Sequence, residues 1–184
     1  MTIESLLWSF VVVFMIHEFE EIIMLKPWLQ RHRSELRARF PKVAARVLPQ
    51  LERLSISSLS LAIMEEFIVL CIVVAIAAQF ALYDLWAGVL IGYLAHAVGH
   101  LVQVAIFRRY CPFLWTSLLS VTYGAAALSI LWWQDLITPV ATAVWTVIAV
   151  VLIGVNIGLA YRLAEAFERW LGRSYPPLIA REHD

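Results

Sequence analysis

Lysine and arginine are missing from five long stretches of this 184-residue chain, roughly 5–25, 58–80, 85–107, 113–133 and 137–161. Charge of either sign is scarce, at 15% of residues against 62% hydrophobic, and the mean hydropathy is +0.80. That balance excludes a soluble globule. Cysteine is also nearly absent: Cys71 and Cys111 lie in a hydrophobic stretch and a short basic connection, without CxxC spacing, which excludes a disulfide framework. The first stretch lacks a basic leading region and a small-residue cleavage pattern, so it is not a cleavable signal peptide.

A helix needs about 20 mostly apolar residues to cross a bilayer. The five stretches are therefore predicted as five transmembrane helices of one all-α membrane domain over 1–184. All fourteen basic residues fall on one side of that plan: eight between Lys26 and Arg53, then Arg108 and Arg109, then Arg162, Arg169, Arg173 and Arg181. Because Lys and Arg are retained in the cytoplasm, the N-terminus is expected outside and the C-terminus inside. The expected location is the bacterial cytoplasmic (inner) membrane. Between the first two spans, Leu36, Phe40, Val43, Val47, Leu51 and Leu54 recur at helical spacing among basic residues. That pattern predicts an interfacial amphipathic helix over 34–54, broken or kinked by Pro41 and Pro49, whose basic residues could hold anionic lipid.

Acidic residues appear where they are least expected. Glu18, Glu20 and Glu21 follow His17 within the first span, Glu65 and Glu66 sit within the second, and His96 and His100 within the third. An ionised side chain at bilayer depth costs about 2.5–3.5 kcal/mol even on the lenient insertion scale. At about 1.5 Å per residue, Glu20 and Glu21 lie roughly 8–9 Å in from Lys26 and His17 about 13 Å. Glu65 and Glu66 lie about 12–14 Å in from Ser57, and His100 about 12 Å in from Arg108. Three helices thus bring their polar residues to one level of the cytoplasmic half.

On an ideal helix His17, Glu20 and Glu21 fan over about 100°, whereas Glu18 points elsewhere and is the weaker ligand. His96 and His100 stand at i,i+4, the separation at which two imidazoles bind one ion. No intramembrane Lys or Arg can neutralise the carboxylates, so the counter-charge must be protons or a cation. The expected metal ligands are His17, Glu20, Glu21, Glu65, His96 and His100, with Glu21 or Glu66 as bridge or general base. The donors suit one or two divalent ions of Zn, Fe or Mn, and two ions bridged by a glutamate would use the whole set. Gly88 and Gly92 are placed on the histidine face of the third span, while Gly154 and Gly158 form a second small-residue pair. Tyr123 and Asn156 are secondary candidates, each more simply an interhelical hydrogen bond.

The run His17-Glu18-Phe19-Glu20-Glu21 resembles the signature of the HXXEE-motif domain family of bacterial membrane proteins. The second pair Glu65-Glu66, and His100-Leu-Val-Gln103 followed by Arg108-Arg109-Tyr110-Cys111-Pro112, are similar to that family's later blocks, over about residues 10–120. The resemblance implies a site, with the later histidine at His100, and no reaction. The chain lacks both HExxH and EExxxR, since Ile22-Ile23-Met24-Leu25 follow Glu20-Glu21. The leading expectation is a metal-dependent membrane hydrolase acting on a lipid, prenyl or other membrane-embedded substrate. A divalent-metal or proton transporter and a di-iron oxidase or oxygenase are the alternatives. Expected partners are membrane lipid, an amphiphilic or metal-ion substrate and a second copy of the chain, but no nucleic acid.

Overall fold

The computed structural model describes residues 2–175, and Arg181 lies outside them. The described chain is all-helical: α1 (Ile3–Arg39), α2 (Pro41–Arg53), α3 (Ile56–Gln79), α4 (Tyr83–Phe107), α5 (Leu114–Trp133) and α6 (Pro139–Ser174). Four of these, α3 to α6, are long and apolar enough to cross a membrane. In α1 the carboxylates Glu18, Glu20 and Glu21, rather than its 37-residue length, keep it out of that group.

Two boundaries differ from the sequence reading for a physical reason. The helix predicted over 34–54 is split, because residues up to Arg39 continue α1 and α2 starts at Pro41. Proline disfavours helical backbone in the residue before it, and Phe40 accordingly takes φ −132° and ψ 57°. Pro41 itself sits at the first helical position, where its missing N–H goes unneeded. Pro27 and Pro49 remain inside α1 and α2. At the other end, α6 runs past the expected boundary at 161 to Ser174.

The half of the bundle toward the N-terminal end of α1 is filled by one apolar cluster. Leu7, Phe10, Val74, Trp86, Leu90 and Leu131 are all essentially inaccessible there. Its few polar groups are satisfied internally: Trp86 Nε1 donates to the Leu7 carbonyl at 3.3 Å and the Tyr123 hydroxyl to the Leu6 carbonyl at 2.7 Å. Tyr123 is thus an interhelical bond remote from the histidines.

Gly88 and Gly92 do not share the histidines' surroundings. A Cβ on Gly88 would stand 2.6 Å from the Trp145 carbonyl carbon, and one on Gly92 2.8 Å from Ile153 Cδ1, so both receive α6. Each four-residue step advances about 40° beyond a full turn, so from Gly88 to His100 the stripe rotates by roughly 120°. The same stripe therefore serves α6 at one end and α1 at the other. Around Gly154 and Gly158 a Cβ would meet nothing within 4 Å.

Candidate metal centre

His17, Glu21, His96 and His100 converge, each offering one donor atom, with all four atoms within 4.8 Å of one another. The imidazole centroids stand 5.6 Å (His17–His96), 5.3 Å (His17–His100) and 4.4 Å (His96–His100) apart. His17 is wholly buried and His100 nearly so, whereas His96 is exposed and Glu21 is intermediate. The centre is therefore closed on its inner side and open at His96.

Hydrogen bonds fix which imidazole nitrogen His17 offers. The Thr116 hydroxyl donates its single proton to Glu20 Oε2 at 2.6 Å. Its contact with His17 Nδ1 at 2.9 Å must then be a bond donated by the imidazole Nδ1–H. That tautomer leaves the lone pair on Nε2, an atom buried and without a partner in the described structure. A buried polar atom without a partner is destabilising by about 1–3 kcal/mol, and an ion at this point would remove that penalty. His100 is held in a similar way: Nδ1 faces Gln103 Oε1 at 3.4 Å and Nε2 lies 2.9 Å from His96 Nε2. Two nitrogens on one tetrahedral ion stand about 3.3 Å apart. The pair thus needs little movement to share a cation. The donor set fits a divalent transition metal.

Glu20, expected as a ligand, faces the other way. One oxygen accepts from the Tyr110 hydroxyl at 3.0 Å, and the other from Thr116 Oγ1 and from the Thr116 amide at 3.3 Å. The N-cap residue of α5, Phe113, makes no side-chain capping bond. Glu20 supplies one from α1 instead, placing a carboxylate at a helix N-terminus where the dipole favours it. Glu20 thereby orients His17 through Thr116, as outer-shell carboxylates orient metal-bound histidines. Outside the hydrophobic helices, burial and the Glu20 carboxylate push the Tyr110 hydroxyl above its ordinary range.

The remaining carboxylates lie outside the compact group. Glu65 Oε2 accepts from Asn156 Nδ2 at 3.2 Å, an interhelical bond between α3 and α6. Glu66 makes no hydrogen bond among the described residues, but Glu18, Glu21 and Glu66 feel one another electrostatically. Glu18, expected to point away, is 5% exposed. A helical wheel gives its angle but not that α1 is covered on that side as well.

Phe113 closes the side toward the α4–α5 connection. Its ring lies 4.4 Å from that of His100 and 6.2 Å from that of His17. Its backbone is left-handed, with φ 77°, a conformation that disfavours a bulky residue by about 1–2 kcal/mol. Strain of this kind persists where the surrounding packing holds it. Neither Phe113 nor Thr116 was singled out by sequence, because only the entry of α5 beside α1 gives them meaning.

Replacing Thr116 by valine keeps the shape and removes the hydroxyl. Metal affinity, followed by competition with a chromogenic chelator, is expected to fall about 10–100-fold. Thr116→Ser should restore most of it, and unchanged affinity in the valine variant would show that the Glu20–Thr116–His17 chain does not orient the ligand.

Together, four apolar helices of spanning length and a partly buried histidine–glutamate group define a helical membrane protein with a candidate metal centre. Residues 8–128 match the family described as "Protein of unknown function with HXXEE motif", and the chain belongs to that family. No curated protein and no solved structure matches it.

Proposed function

We propose that the protein is a metal-dependent membrane hydrolase acting on an amphiphilic substrate, with His17, Glu21, His96 and His100 holding one divalent ion. The observation that carries this reading is the buried, partnerless Nε2 of His17, presented by a Thr116–Glu20 chain toward three further donors. Four donors suffice for a single ion that takes water as a further ligand, so one ion is favoured over the bridged pair. Zinc suits three imidazoles and a carboxylate best, with iron and manganese next.

A bound ion of this kind would polarise the scissile bond and make bound water acidic near neutral pH. The chain's own residues supply the rest. In this reading Glu66, which makes no hydrogen bond among the described residues and interacts electrostatically with Glu21, would take a proton from water. Phe113 shields His100 from the cytoplasmic side, and the exposed edge at His96 gives an amphiphile lateral access.

This reading includes five crossings, with the first half of α1 as the fifth span, in the cytoplasmic membrane of a bacterium. An N-terminus-out orientation is supported by the clustering of basic residues at one end, where Arg39 donates to the Phe107 carbonyl and Arg109 pairs with Glu35. The segment Pro41–Arg53 would lie at the inner leaflet with Val43 and Val47 toward lipid, since both are exposed. Transport is disfavoured by the apolar cluster around Phe10, Trp86 and Leu131, which offers an ion no polar step toward the far side.

The test has two stages. Protein purified without chelator should carry about one equivalent of one transition metal, and a content below ~0.2 would defeat the reading. The metal-loaded protein is then incubated with a bacterial lipid extract in ¹⁸O-water. Label should enter a lipid-derived product, and Glu66→Gln should slow that entry by about 10²-fold or more while leaving metal content intact. Rapid metal flux into proteoliposomes without labelled product would favour transport instead.

A further inference from the structure

At the basic end of the bundle, α2 and α6 enclose a cleft of about 530 Å³ beside the corner that leads into α3. That volume is within the range of small-molecule sites. Arg46, Gln50 and Arg53 line it from α2 at i, i+4 and i+7, one face of the helix. Glu165, Glu168 and Arg169 line it from α6.

The charges in this cleft are unevenly engaged. Glu168 Oε2 accepts from the Ser55 amide at 2.8 Å, Ser55 Oγ at 2.6 Å and Ser58 Oγ at 2.6 Å, so it caps the first turn of α3. Glu165 is exposed. Elsewhere on this end arginines find carboxylates: Arg37 pairs with Glu52, and Arg39 and Arg109 with Glu35. Arg46, Arg53 and Arg169 have no ion pair among the described residues. Three guanidinium groups therefore border one cleft with a single uncommitted carboxylate beside them. A guanidinium fork matches a phosphate bidentately.

The rim of the cleft adds the second half of the specificity. Val43 and Val47 are 61% and 41% exposed on the adjoining face of α2, and Trp170 next to Arg169 is 46% exposed. An apolar shoulder next to a basic cleft suits a ligand with a charged head and a hydrocarbon tail. We propose that the α2–α6 cleft binds the phosphate group of an anionic amphiphile through Arg46, Arg53 and Arg169. This site is separate from the histidine centre and does not depend on what that centre does.

Native mass spectrometry of the full chain in detergent, titrated with phosphatidylglycerol or phosphatidylcholine, tests it. Phosphatidylglycerol should be retained about ten-fold more strongly. The triple variant Arg46→Gln, Arg53→Gln, Arg169→Gln should bring retention down to the phosphatidylcholine level. Arg33→Gln, an exposed arginine on α1 away from the cleft, should leave it unchanged. A triple lysine variant keeps the charge without the fork and guards against a folding artefact, with intermediate retention expected. Glycerol phosphate added as competitor separates the two sources of the phosphate. Failure to displace the lipid identifies a membrane headgroup, and displacement at equal concentration identifies a soluble phosphate compound at the same site. Equal retention by wild type and the triple glutamine variant would overturn the proposal, as would equal binding of the two lipids.

Discussion

His17→Ala is expected to lower divalent-metal affinity by more than a hundred-fold. Four-ligand structural zinc sites are worth about 10–16 kcal/mol in apparent binding free energy, so one ligand accounts for roughly 3 kcal/mol. His17 should lie at or above that share. Its Nε2 is buried and its ring is oriented by Thr116. His96→Ala should cost less, because its exposed position lets water fill the vacated place. The measurement is metal content after dialysis against a weak chelator, together with isothermal titration of the stripped protein. A His17→Ala protein that retains a full equivalent would sink the centre as described. The same variant should be folded, since removing an imidazole with a partnerless nitrogen relieves one polar penalty as it opens a cavity.

The second large effect concerns packing rather than chemistry. Gly88→Ala should destabilise the bundle by about 1–3 kcal/mol, the usual range for overpacking a filled interior. The added methyl would fall 2.6 Å from the Trp145 carbonyl carbon and 2.7 Å from the Thr146 amide nitrogen. Both are backbone atoms, so no side-chain rotation can make room and α4 must move away from α6. Gly154→Ala and Gly158→Ala meet nothing within 4 Å and should leave the melting temperature of the monomer unchanged or slightly raised. Thermal unfolding in detergent, followed by helical circular dichroism, distinguishes these outcomes. If Gly88→Ala melts like the wild type, α4 and α6 do not approach as closely as described.

The contrast between the two glycine pairs shows where sequence reading reaches its limit. The GxxxG spacing is identical in α4 and α6, and only the crossing of the two helices decides which pair is occupied. The level of the polar residues was readable because rise per residue is constant in any helix. The four converging donors are therefore among the residues that counting singles out. The separate tasks of Glu20 and Glu21 were not readable. Both lie within one fan on α1, and only the N-terminus of α5, with its uncapped amides and Thr116, draws Glu20 aside. Burial of Glu18 was likewise invisible, since the number of helices around α1 is a property of the assembled bundle. The break at Phe40–Pro41 was written in the sequence, whereas Pro49 stays inside α2 without ending it.

Aromatic side chains fill the space between α1 and α4, whose backbones make few close approaches to each other. Phe10 and Phe14 stand against Tyr93 at 5.2 and 5.9 Å, and Phe10 against Trp86 at 5.7 Å. The Tyr93 hydroxyl is moored to Ser120, and its ring meets the edge of His17 at 5.9 Å. These rings act as spacer blocks, and the gap they hold open at one end is the gap the three imidazoles share at the other. In the proposed metal site, the room left for an ion would thus be set by residues that never touch it. Thinning a spacer, as in Phe14→Leu, should retune the preference among zinc, iron and manganese without altering a single ligand.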